Sequence, residues 1–142
     1  MQGQHIKQLI ESKIDKSIFK YYEVRLAYLF GSSTKPNRTP NDIDIALLFK
    51  EGLNPVRHFE LATDLYLQLT PLVTQKIDIV ILNDASPFLK YEVISKGEVF
   101  YEDNESIDTE FKVQTLREYF DAHYKLKIYE ENLLARIEKG VY

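Results

Sequence analysis

The chain has 142 residues, enough for one ordinary domain and too few for two. With 44% hydrophobic and 28% charged residues and no cysteine, it reads as a globular protein without a disulfide framework or a thiolate metal centre. A net charge of −4 argues against a basic grip on long nucleic acid, no apolar run approaches the roughly 20 residues of a membrane helix, and Met-Gln-Gly-Gln-His at the N-terminus is no signal peptide. The expectation is a cytoplasmic protein with no membrane or direct nucleic-acid contact.

Ile6, Leu9, Ile10, Ile14 and Ile18 recur at helical spacing and predict an amphipathic helix over 4–18. A strand follows over 23–30, with Val24, Leu26, Tyr28 and Phe30 alternating against Arg25, Ala27 and Leu29. It delivers Gly31-Ser32, and a loop rich in Pro and Asn follows, carrying Lys35 and Arg38 as its cations. The second strand, 42–49, opens with Asp42-Ile43-Asp44 and continues as the apolar run Ile45-Ala46-Leu47-Leu48-Phe49. Asn54-Pro55 predicts an N-cap and first helical position, with Phe59, Ala62, Tyr66 and Leu69 on one face. Lys76–Leu82 is the third strand, with Asp78, Val80 and Leu82 on one face and Ile77, Ile79 and Ile81 on the other. Ser86 caps a short helix that ends at Gly97, and Glu98–Glu102 is a short final strand. From 107 to 139 the chain predicts one long helix, or two in succession, with two apolar stripes. Leu116, Tyr119, Leu126, Tyr129, Leu133 and Ile137 trace the first; Val113, Phe120, Tyr124 and Ile128 trace the second. A surface helix needs one such stripe, so the second points either to the protein's own core or to a partner. His5, His58 and His123 show no ligand spacing and read as surface or half-buried residues.

The informative stretch runs from Leu29 to Asp44. Gly31 has no Cβ, so backbone N–H groups can approach an anion there, and Ser32 adds a hydroxyl. Asp42 and Asp44, two apart on a strand, point to the same face while Ile43 and Ile45 point to the opposite one. Two carboxylates this close repel, and a divalent cation is the simplest relief. Asp-x-Asp alone is far more often a solvated turn than a metal site. Here apolar strand, Gly-Ser, nine residues (Ser33 to Asn41), Asp-x-Asp and a second apolar strand stand together. Asp78 interrupts an apolar strand and needs a cation, a donor or an open strand end, because a buried unpaired carboxylate costs several kcal/mol. If the third strand lies beside the second, Asp78 joins Asp42 and Asp44 in a three-carboxylate cluster.

In order and type, Gly31-Ser32, Asp42-Ile43-Asp44 and Asp78 resemble the nucleotidyltransferases related to DNA polymerase β. The short chain and its tail, Leu116-Arg-Glu-Tyr-Phe-Asp121 and Leu133-Leu134-Ala-Arg-Ile-Glu-Lys-Gly140, resemble the minimal nucleotidyltransferase, or MntA-type, antitoxins. In this chain Thr34-Lys35-Pro36 replaces the Ala-Arg-Gly common in their loop, and Asn41 replaces a common Ser. The resemblance implies an α+β fold: a small mixed sheet with flanking helices and a long C-terminal helical segment. It would form a single domain over 1–142, with a core over 1–102 and the helical segment over 105–140. It implies an antitoxin enzyme that transfers AMP from ATP to a tyrosine hydroxyl of a HEPN-domain ribonuclease toxin, in a hetero-oligomer with that toxin. Asp42, Asp44 and Asp78 would be the catalytic residues and the ligands of two Mg²⁺ ions; Gly31, Ser32, Ser33 and Lys35 would bind the nucleotide. Two other functions compete: adenylylation of a small molecule such as an aminoglycoside, and neutralisation of a partner by binding alone.

Overall fold

The computed structural model describes residues 2–31 and 42–140. Helix α1 (Gln2–Lys13) and the short α2 (Ser17–Tyr21) precede strand β1 (Val24–Phe30). Then come β2 (Asp42–Phe49), α3 (Pro55–Leu69), β3 (Lys76–Ile81), α4 (Pro87–Lys96), β4 (Glu98–Glu102) and α5 (Ile107–Glu138). The expected single helix over 4–18 is two helices. Asp15 breaks it, its carboxylate accepting the Ser17 backbone N–H at 3.0 Å, the local bond by which aspartate starts a helix rather than continuing one.

The four strands form one mixed sheet in the order β3-β2-β1-β4. β1 pairs antiparallel with β2 and β4, whereas β2 and β3 run parallel, joined through α3. This is the α+β architecture expected from the resemblance. Helices cover both faces. On one, α1, α2 and α3 bury Ile10, Phe19, Leu61 and Leu65 against Ala27, Leu29, Ile43, Ile45 and Leu47. On the other, Val93 of α4 and Ile107 of α5 pack on Leu26, Tyr28 and Ala46. Val24 joins the first core although Leu26 and Tyr28 join the second. A register shift between Val24 and Leu26 re-aims the side chain, as a β-bulge does.

Both expected N-caps form: Asn54 accepts from Arg57 N–H at 2.8 Å and Ser86 from Leu89 N–H at 3.2 Å. The buried stripe of α3 is displaced from the expected one. His58, Leu61, Ala62, Leu65 and Leu69 are buried, while Phe59 is 68% exposed and Tyr66 lies at the rim. Phe59 and Tyr66 instead line an apolar groove with Ile79 and Ile81 of the edge strand β3. His58 is buried, correcting the surface or half-buried expectation for that residue. Its ring stacks on Phe49 and its Nδ1 lies 2.9 Å from Asp84 Oδ2, so the ring serves as a polar tie inside an apolar layer.

α5 is one continuous helix. Its first turns dock on the sheet through Ile107 and Phe111, and Lys90 of α4 donates to Glu118 at 2.8 Å. Tyr119 stacks on Tyr91 with ring centroids 3.9 Å apart. Beyond that contact both apolar stripes lie exposed: Leu126, Tyr129, Leu133 and Ile137 on one, Phe120, Tyr124 and Ile128 on the other. Among the described residues, no helix is long and apolar enough to cross a membrane.

Candidate functional site

β1 ends at Phe30, which is paired with Asp44 of β2. Gly31 then turns the chain with φ +68°, a conformation that costs an L side chain about 1–2 kcal/mol and glycine almost nothing. A Cβ at this position would collide with Asp44 Oδ2 and stand 3.0 Å from its Cγ. The glycine is therefore the space in which the Asp44 carboxylate sits. Ser32, Ser33 and Lys35, expected with Gly31 to hold nucleotide, lie outside the described residues, as does Arg38.

The parallel pairing of β2 and β3 brings Asp44 level with Asp78 and Asp42 level with Lys76. Side chains at paired positions of neighbouring strands share a face, so Asp42, Asp44 and Asp78 all point to the side of the sheet on which α4 and α5 pack. Ile43, Ile45 and Ile77 point to the other and are buried there. Alternation thus separates three half-exposed carboxylates from the core that holds their strands still. Adjacent strands lie about 4.8 Å apart, and second neighbours along a strand about 7 Å. Asp44 and Asp78 are accordingly the closer pair, with Asp42 one pleat away.

Hard carboxylate oxygens on one face are the donors that Mg²⁺ takes. The fit is one of donor type and face: among the described residues, no group of three His, Cys, Asp or Glu side chains closes around a common point. Asp78 instead has an ion pair with Lys76, Nζ to Oδ1 at 3.7 Å, with the two side chains 70% and 45% exposed. Sequence reasoning passed over Lys76, although its position two residues before Asp78 already placed it on the carboxylate face.

Tyr28 was read only as a strand residue. It is buried beneath this face, and its hydroxyl donates to Asp108 in the first turn of α5. Burial and the Asp108 carboxylate push its pKa well above the ordinary value of 10, so the phenol stays protonated and ties α5 to β1. Asp108 is held in turn by Lys112 at 3.0 Å, and its N–H donates to Glu102 at 2.7 Å. The sequence carried no signal for this tie, because residues 80 apart meet only through the fold.

Fold and sequence together define the class of protein. The chain belongs to the family described as Polymerase beta, Nucleotidyltransferase, whose model matches residues 12–106, from the end of α1 through β4. Its similarity to particular proteins is narrower. It is similar to a chain of the crystal structure of a toxin–antitoxin with AMP-PNP, at 26% identity and TM-score 0.60, covering 94% of this chain and 99% of that one. It is also similar to a chain of a tri-AMPylated Shewanella oneidensis HEPN toxin in complex with its MNT antitoxin, at 28% identity and TM-score 0.64, covering 90% and 98%. A third such structure, the toxin–antitoxin MntA-HepT, matches at 28% identity and TM-score 0.63, covering 89% and 98%. No curated protein matches the sequence.

Proposed function

We propose that this chain is the antitoxin of a toxin–antitoxin pair and neutralises a HEPN-domain toxin by transferring AMP from ATP to a tyrosine hydroxyl. One observation carries the reading: in a nucleotidyltransferase chain, Asp44 and Asp78 stand level on adjacent strands of one face, with Gly31 packed against Asp44. Similarity over nearly the full chain to a structure that contains an AMPylated HEPN toxin supports the choice of acceptor.

In this reading the acceptor oxygen attacks the α-phosphorus of ATP. A new O–P bond forms, the bond to the bridging oxygen breaks, and pyrophosphate leaves with that electron pair. Asp42, Asp44 and Asp78 would hold two Mg²⁺ ions, which would supply charge neutralisation for the entering and leaving oxygens. Asp78 is assigned as the acceptor of the hydroxyl proton, and its position on the edge strand β3 supports that assignment. Gly31 and Ser32, through backbone N–H and hydroxyl groups, hold the phosphates, with Ser33 and Lys35 as further nucleotide-binding residues. The toxin docks on the exposed apolar face of α5 formed by Val113, Phe120, Tyr124 and Ile128, because an uncovered stripe of this kind is usual at a protein interface.

The test is the intact mass of the cognate toxin after incubation with this protein, ATP and Mg²⁺. Wild type adds the mass of at least one AMP. Asp44→Asn and Asp42→Asn add none while keeping the wild-type circular dichroism spectrum. A toxin that stays unmodified yet is neutralised equally well by wild type and both variants would show inhibition by binding alone.

A further inference from the structure

The carboxylate face carries a cation of its own. In the β2–β3 register Lys76 stands level with Asp42, and its ammonium reaches Asp78 at 3.7 Å. Its side chain is 70% exposed, so little packing holds it there. We propose that Lys76 is a nucleotide-binding residue, leaving Asp78 to contact the polyphosphate when divalent cations take up the carboxylates.

The argument is one of charge and reach. Three carboxylates and a nucleoside triphosphate crowd negative charge onto one face, and cations held by the aspartates cancel only part of it. Lys76 is a cation already joined to this face, through its ion pair with Asp78. A lysine on a flexible four-carbon stem can exchange a carboxylate partner for a phosphate oxygen without moving the backbone. Solvent exposure makes the present pair weak and the exchange inexpensive. A phosphate already neutralised in part by metal keeps free oxygens that a point charge can reach, and the edge position of β3 leaves the lysine open to incoming ligand. The role is binding; Lys76 is assigned no proton transfer.

The inference rests on the nucleotidyltransferase reading of this face, and the experiment separates the two. Affinity for ATP in Mg²⁺, and for AMP, is measured by calorimetry on wild type, Lys76→Ala, Lys76→Arg and Asp44→Asn, with no acceptor present. Lys76→Ala should weaken ATP about tenfold or more, as expected for loss of a charge-assisted contact, and leave AMP within about twofold. Lys76→Arg should restore most of the ATP affinity, and the melting temperature of each Lys76 variant should match wild type. If Asp44→Asn loses ATP while Lys76→Ala binds it as wild type does, Lys76 is a surface charge and the proposal fails alone. Equal weakening of ATP and AMP by Lys76→Ala also overturns it. If neither Asp44→Asn nor Lys76→Ala alters ATP binding, the face itself is not the nucleotide site and both readings fall.

Discussion

Replacing Gly31 by alanine tests whether this turn is built around the Asp44 carboxylate. Two costs add in the wild-type background. Holding an L residue at φ +68° costs about 1–2 kcal/mol. The new Cβ would overlap Asp44 Oδ2, so the carboxylate must rotate from its place. An off-rotamer displacement costs about 0.5–1.5 kcal/mol, giving a sum of about 1.5–3.5 kcal/mol. For a domain of this size that is a fall of roughly 5–12 °C in melting temperature. The second cost vanishes when Asp44 is shortened. In an Asp44→Ala background, Gly31→Ala should therefore cost only the backbone part, about 1–2 kcal/mol. Urea denaturation of the four proteins in this double-mutant cycle should return a coupling of about 1 kcal/mol. Additivity to within about 0.3 kcal/mol would refute the packing argument and leave Gly31 as a turn residue only.

The Tyr28–Asp108 tie predicts that Tyr28→Phe lowers stability by about 1–2 kcal/mol in urea and speeds amide exchange in the first turns of α5. The sign of its pH dependence follows from a raised folded pKa: the contribution is complete below the ordinary tyrosine value of 10 and is lost only at more alkaline pH. Wild type and Tyr28→Phe should therefore differ by a constant amount between pH 6 and pH 9, each limit being about a unit or more below the titration. Glu118 shows the opposite case, since the hydrogen bond from Lys90 holds its carboxyl below the ordinary 4.5. Its contribution is present above that value and lost as pH falls through the lower folded one. The gap between the urea midpoints of wild type and Glu118→Gln should accordingly close on acidification, and a gap that widened would contradict the assignment.

Much of this molecule was legible before any coordinates. The period-two alternation of Asp42-Ile43-Asp44-Ile45 and of Ile77-Asp78-Ile79 assigns each side chain a face, and the sheet kept those faces. Asn54-Pro55 and Ser86-Pro87 marked helix starts because the capping bond is local, spanning three residues. Local chemistry missed the break at Asp15, where a side chain competing for a backbone N–H outweighed the apolar period that ran on to Ile18.

What the sequence determined by itself is therefore the parity of its residues and the places where elements begin: facts settled by covalent spacing and by bonds between near neighbours. Only the tertiary structure decided which strands adjoin. With β3 parallel to β2 and in this register, Asp78 stands level with Asp44 and Lys76 with Asp42; a slip of one residue would have sent both to the opposite face. It also decided that Tyr28 meets Asp108, that His58 is enclosed, and that the apolar side chains along the later turns of α5 stay uncovered. Those outcomes depend on which surfaces come together when the chain closes its core, and no single segment carries that information.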